Sequence, residues 1–259
     1  MRVLLTNDDG IRAPGLLTLV RALSPVHQVY VAAPDRQRSA AAASMTIRGR
    51  LTAQPYAFAG CPVAGAYAVS GTPVDCVRLG FSGLFPAPDA VISGVNQGPN
   101  RGTDVLYSGT LGAAQEAAIH GYPALALSLD GSHEHPFVHF DTAAMLAERG
   151  LRLLQEKPLP FGGYYSVNVP DLPPDRIRGV RYAPLGLVLY EAAYEELPPE
   201  AGRRVFVETG GRIPNPEGFR DTDEYWLQAG YATVTALGFD CALPLSDPDR
   251  QTITAILKG

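Results

Sequence analysis

The chain has 259 residues, with 21 Lys and Arg against 26 Asp and Glu, a formal net charge of −5. This weakly acidic balance argues against a binder of duplex nucleic acid held by phosphate contacts, and 46% hydrophobic with 18% charged residues excludes disorder for the bulk of the chain. At this length the expectation is one large α/β domain, or a domain with an extension, large enough to fold without a disulfide or metal staple.

Arg2–Thr6 is a short apolar run ended by Asn-Asp-Asp-Gly, which predicts a buried strand followed by a loop. Pro14 opens a helix over Gly15–Leu23, with Leu16, Leu19, Val20 and Leu23 at helical spacing. Val29–Ala33 is the next strand, so the first two strands are expected to be parallel. Arg36–Ser44 reads as a loop, and Met45–Gln54 and Ala66–Ser70 as an excursion of short strands. A helix over Pro73–Phe81 and a buried strand over Asp89–Ser93 follow. Gly94–Gly109, rich in glycine and asparagine and without apolar periodicity, reads as a long loop leading into an Ala-rich helix over Thr110–His120. Ala124–Leu129 and Tyr164–Val169 read as strands around a helix over Thr142–Gln155 that turns Met145, Leu146, Leu153 and Leu154 inward. The alternation of strand and helix predicts a Rossmann-like, doubly wound and mostly parallel sheet over residues 1–184.

Beyond Pro184 the texture changes. Leu185–Tyr194 and Arg203–Thr209 read as alternating strands of a hairpin, Ala232–Leu237 as a further strand, and Asp249–Leu257 as a terminal helix. Residues 185–259 are thus expected to be a C-terminal extension, tyrosine-rich and apolar enough to serve oligomerisation. The cysteines Cys61, Cys76 and Cys241 are odd in number and form no CxxC pair, which points to free thiols in a reducing compartment. The opening residues carry only a short apolar run before two acids, unlike a secretory signal, and no run of about 18 uncharged apolar residues occurs. A cytoplasmic protein, not bound to membrane, is the expectation.

In a parallel sheet, ligands sit outside the carboxyl ends of the strands. Three polar loops follow expected strands: Asn7–Gly10, Asp35–Ser44 and Gly94–Gly109. Asp8 and Asp9 are neighbouring carboxylates that repel unless a cation or protons separate them. A hard divalent ion takes oxygen ligands from Asp, Asn and Ser, although Asn-Asp-Asp-Gly is equally ordinary turn chemistry. Asn96 is placed to share that cation, and Asn100 to bond a phosphate oxygen. Ser108 or Thr110 caps the helix that follows, where free N–H groups and the helix dipole also hold phosphate. His133-Glu134-His135 reads as a solvated loop, His120 as a helix C-terminal cation, Cys76 as inert core, and Tyr225, Trp226 and Tyr231 as core or subunit contact. A GxxxxGK[ST] loop, a GxGxxG turn after the first strand and a G-x-S-x-G elbow are all missing, which argues against a P-loop NTPase, a dinucleotide fold and an α/β-hydrolase.

At these residues the sequence resembles the SurE (survival protein E) family of metal-dependent nucleotidases. The likeness runs through Leu4–Gly10 with Pro14-Gly15, Ala33–Ser39 and Gly71–Cys76. It is strongest over Ser93–Asp104 with Tyr107–Thr110, and continues in Ser166–Pro170 and Asp221–Asp223. The resemblance implies a Rossmann-like core with a C-terminal extension exchanged in a homodimer or homotetramer. It implies a divalent cation, Mg²⁺ or Mn²⁺, one per subunit, on Asp8, Asp9, Ser39 and Asn96. It also implies a phosphate site of Asn100, Ser108, Gly109 and Thr110, with Asp8 and Asp9 at the chemistry and nucleoside 5′- and 3′-monophosphates as substrates. One departure stands out: after the arginine the family usually has Ser-Gly-Ala, whereas here Ser39 is followed by four alanines, Ala40–Ala43. If position 40 needs a positive φ, alanine costs on the order of 1 kcal/mol there. Two other readings use the same crevice: a nucleotide or phosphate sensor without turnover, and a hydrolase of another phosphate ester such as short polyphosphate.

Overall fold

A computed structural model describes residues 1–131, 135–213, 219–242, 244 and 246–258. The chain begins with β1 (Arg2–Thr6), α1 (Pro14–Leu23) and β2 (Gln28–Pro34), then β3 (Ala53–Pro55), β4 (Gly65–Val69) and α2 (Pro73–Leu79). It continues through β5 (Ala90–Gln97), α3 (Gly109–Ile119), β6 (Ala124–Asp130), α4 (Phe140–Glu156) and β7 (Tyr164–Pro170). The remainder holds β8 (Val180–Tyr182), β9 (Leu189–Tyr190), β10 (Tyr194–Glu200), β11 (Arg203–Glu208), β12 (Arg212–Ile213), α5 (Asp223–Gln228), β13 (Ala232–Leu237) and α6 (Asp247–Lys258).

Nine strands form one sheet in the order β3-β4-β2-β1-β5-β6-β7-β13-β8. All pairings from β4 to β7 are parallel. Alternation along the strands sends side chains into two cores. Val3 and Leu5 of β1 join Ala90 and Ile92 of β5 with α1 and α4 on one face. Leu4 and Val91 point to the other face, under α2 and α3. The central strands are therefore mostly apolar, as a parallel sheet covered on both sides requires, with a few buried polar residues such as Ser93, Ser128 and Asn168. Helices α1 and α4 present one apolar stripe each, Leu16, Leu19, Val20 and Leu23 in the first and Ala143, Ala147, Leu151 and Leu154 in the second. Helix α3 differs: its Gly and Ala residues are buried almost all round, because small side chains let it sit tightly between the sheet, α2 and the loop at Ala42 and Ala43.

Several local expectations are corrected. Strand β5 does not stop at Ser93 but runs on to Gln97 through a register shift, so part of the expected loop is sheet. Of Met45–Gln54 only the end, from Ala53, is strand. Met145 is solvent-exposed on α4, not turned inward. The hairpin lies over β10 and β11, whereas Leu185–Tyr194 is mostly irregular, holding β9, paired to β12, and the first residue of β10. The chain beyond residue 184 also enters the central sheet. Strand β13 pairs antiparallel with β7 and carries β8 on its outer edge, because the exposed edge of β7 needs a partner for its backbone groups. Cys61, Cys76 and Cys241 are free thiols, and burial pushes the Cys76 thiol well up, consistent with inert core. Of His133-Glu134-His135, the first two lie outside the described residues. Among the described residues no helix is long and apolar enough to cross a membrane.

Candidate functional site

The chain leaves β1 to build β2 and β4 on one side, then returns to place β5 on the other side of β1. The crevice outside the carboxyl ends of β1 and β5 is the switch point where such sheets bind ligands. The register sets Thr6 beside Ser93, so the residues that follow each strand meet above the sheet.

Asn7 closes the first turn. Its Oδ1 accepts from Gly10 N at 3.1 Å and its Nδ2 donates to Gly10 O at 3.0 Å. That turn aims two consecutive carboxylates in different directions. Asp8, 4% exposed, turns toward α3, where the Thr110 hydroxyl donates to its Oδ1. Gly109 lies against it so tightly that a Cβ there would stand 3.0 Å from Asp8 Cβ and 3.1 Å from Oδ2. Asp9 turns toward β5, where Gln97 N–H donates to its Oδ2 at 3.0 Å. Each acid is thus pinned through one oxygen and keeps the other.

Burial sets the electrostatics of this pair. It raises the Asp8 carboxyl above its usual range, against the pull of the Thr110 hydroxyl and N–H. Asp9 is pushed up to about 6 by burial first and by the neighbouring Asp8 charge second. A negative pair held off water in this way calls for a positive partner. The N-terminus of α3 supplies part of it through its dipole and unpaired N–H groups. Ser108 is the N-cap, its Oγ accepting from Leu111 N at 3.1 Å. The N–H groups of Gly109 and Thr110 precede the first intrahelical bond, from Gly112 N to Ser108 O.

The structure brings Asp8, Asp9, Ser108, Gly109 and Thr110 into this crevice. Asn96 joins through its neighbour Gln97, and its own Nδ2 donates to Gly98 O at 2.8 Å. Ser39 belongs to the loop tied down by Arg38 N–H, which donates to Asp8 O at 2.7 Å. Ser39 is exposed and accepts from Gln37 Nε2 at 2.8 Å. Both Ala40 and Ala42 in that loop adopt positive φ, 56° and 48°, so alanine does stand at a left-handed position. Asn100 is buried and fixed from the core: Asn168 Oδ1 accepts its N–H at 2.7 Å, Asn168 Nδ2 donates to its O at 2.9 Å, and its own Nδ2 donates to Ser128 Oγ at 2.8 Å. Among the described residues no three His, Cys, Asp or Glu side chains gather into a metal cluster. Any cation here would rest on the two acids with amide and hydroxyl oxygens. Sequence reasoning gave no role to Asn7, Ser128 or Asn168. Asn7 carried the Asx-turn preference of Asn three residues before Gly, and Asn168 lay in the Ser166–Pro170 run of the family resemblance with no role attached.

With this geometry in hand, comparison with known proteins is specific. The family model for Survival protein SurE matches residues 3–192. The chain is 42% identical over 245 residues to the 5′/3′-nucleotidase SurE of Shigella dysenteriae serotype 1, covering 93% of this chain and 91% of that one. It is 48% identical over the same length to the 5′/3′-nucleotidase SurE of Klebsiella pneumoniae strain 342, with the same coverage. The fold is similar to the crystal structure of a SurE protein from Aquifex aeolicus, with a TM-score of 0.79, 30% identity and full coverage of both chains.

Proposed function

The chain belongs to the Survival protein SurE family, and from that membership we propose that it is a phosphomonoesterase removing phosphate from nucleoside 5′- and 3′-monophosphates with the help of one divalent cation per subunit. The observation that carries the reading is the adjacent pair Asp8 and Asp9, sunk at the switch point and facing the start of α3. The donor set fits a hard cation. Asp8, Asp9, Ser39 and Asn96 offer only oxygen for the purpose, and the two neighbouring carboxylates are penalised by burial, which a cation would relieve. When bound, Mg²⁺ or Mn²⁺ supplies Lewis acidity at a phosphoryl oxygen and lowers the pKa of a water.

The protein's own groups do the remaining work. Thr110 and Gln97 hold the two acids in place through one oxygen each, so Asp8 and Asp9 would hold the cation, and one of them would take the proton of the attacking water. The N–H groups of Gly109 and Thr110, the Ser108 hydroxyl and Asn100 donate to the phosphate oxygens, where the helix dipole favours added negative charge. The Thr110 hydroxyl is engaged with Asp8 and its N–H also favours that carboxylate, so the Gly109 N–H and the Ser108 hydroxyl carry most of the anion binding at this helix start. The extension from residue 185 is read as an oligomerisation element of a homodimer or homotetramer, since Tyr194, Leu197, Phe206 and Val207 expose apolar surface on its hairpin. Free thiols fit a cytoplasmic location.

The test is phosphate release from AMP, GMP, UMP and 3′-AMP with Mg²⁺ or Mn²⁺, with and without EDTA. Turnover is expected only with metal and is expected to fall at least a hundredfold in Asp8→Asn. Activity that survives chelation, or an undiminished Asp8→Asn variant, would refute the proposal. Metal-assisted nucleotide binding without turnover would instead identify a sensor.

A further inference from the structure

Asp223 and Glu224 open α5, about 120 residues from the phosphate loop in sequence, yet both are almost fully buried against it, at 0% and 2% exposure. The Asp223 carboxylate takes three backbone N–H groups from three segments. Gly102 N donates to Oδ2 at 2.8 Å, and Gly186 N and Glu224 N donate to Oδ1 at 2.6 and 2.8 Å. Only an acceptor on both oxygens satisfies this arrangement. Glu224 forms an ion pair with Arg101 Nε at 2.5 Å and another with Arg212, while Arg101 also reaches Asp130 Oδ2 at 2.9 Å.

These ties grip one short stretch. Arg101 and Gly102 directly follow Asn100, and Gly102 stands at φ +51°, where a Cβ would come within 3.0 Å of Gly186 O and Val188 Cγ2. Thr103 donates to Val188 O, and the Tyr190 hydroxyl donates to Asp104 Oδ2 at 3.4 Å. Asn100 is held from the other side by Asn168 and Ser128. The loop is thus clamped between the core and the chain beyond residue 184, and six residues after Gly102 it delivers Ser108, the cap of α3. The sequence motif Asp221-Thr222-Asp223 finds its purpose here: Thr222 accepts from Tyr225 N and caps α5, so the two acids project from a fixed helix start.

We propose that Asp223 and Glu224 are positioning residues for phosphate recognition: acting through Gly102 and Arg101, they set the loop that carries Asn100 and the start of α3. This rests on the phosphate-site reading above. It separates the tail into an exposed hairpin and a buried clasp that completes the site within the same chain.

The experiment compares the full-length protein with Asp223→Asn and Glu224→Gln. The first turns an amide N–H against a backbone N–H, and the second removes the charge that holds Arg101. For each, inorganic phosphate is titrated calorimetrically in excess Mn²⁺, KM and kcat are measured with AMP, and Mn²⁺ affinity is measured by the EPR signal of the free ion. The expected result is a weakening of phosphate binding by about tenfold and a matching rise in KM, with Mn²⁺ affinity within twofold of the parent. Phosphate affinity and KM within twofold of the parent, alongside a lowered melting temperature, would reduce both acids to structural ties and overturn the proposal. Should Asp223→Asn fail to fold, Glu224→Gln decides alone by the same readings. A parent protein that binds phosphate but releases none from AMP refutes the enzymatic reading only, and the phosphate titrations still judge the clasp. A parent that binds no phosphate overturns both.

Discussion

Replacing Asp9 by asparagine should stabilise the metal-free protein while removing its response to metal. The Asp9 carboxyl sits at about 6 in the fold against an ordinary 3.8, driven by burial and then by Asp8. Above pH 6 the group is ionised in both folded and unfolded chains, and the folded state carries the whole penalty, about 3 kcal/mol at 1.36 kcal/mol per pH unit. Below about pH 4 both states are protonated and the penalty vanishes, so the loss of stability sets in as pH rises from 4 to 6. Asparagine keeps an oxygen for the Gln97 N–H and carries no charge. Its own desolvation takes back part of the gain, leaving about 2 kcal/mol, or roughly 4–8 °C in Tm for a chain of this size. The assay is thermal unfolding followed by circular dichroism in EDTA from pH 4.5 to 8, repeated with Mn²⁺. Asp9→Asn should melt above the parent at pH 7.5, and the gap should close toward pH 4.5. Millimolar Mn²⁺ should raise the parent by mass action and the variant far less. A variant that melts at or below the parent at pH 7.5 in EDTA, or a gap independent of pH, would refute the argument that a desolvated carboxylate strains this site.

Three further outcomes are expected. Gly109→Ala places a Cβ 3.0 Å from Asp8 Cβ, so the carboxylate must shift by a few tenths of an ångström; kcat/KM for AMP should drop about tenfold with little change in Tm, since alanine suits a helix. Asn168→Ala removes the partner of both the N–H and the carbonyl of buried Asn100, and urea unfolding should report a loss of about 2–4 kcal/mol. Ala40→Gly and Ala42→Gly relieve two left-handed alanines at φ 56° and 48°. Together they should gain about 1 kcal/mol in urea unfolding after the entropy of the added glycines is discounted.

The core strands were legible because a parallel sheet covered on both faces leaves continuous apolar runs, and the expected bounds of β1 and β13 coincide with those found. Helices announced themselves through Pro14, Thr72-Pro73 and Ser108 at their starts. The tail was harder: its hairpin is exposed on both sides, so burial imposed no alternation by which to place β10, although β11 lies within one residue of the strand expected over Arg203–Thr209. The sequence by itself singled out the residues proposed for the chemistry, since adjacent acids after a buried strand and a glycine-rich run into a capped helix are local patterns. Only the tertiary structure decided their partners. Asp8 is paired to Thr110, Asp9 to Gln97, Asn100 to Asn168, and Gly102 to Asp223. Those pairings span 68 to 121 residues, and no spacing along a chain encodes a hydrogen bond that exists only once distant segments have folded together.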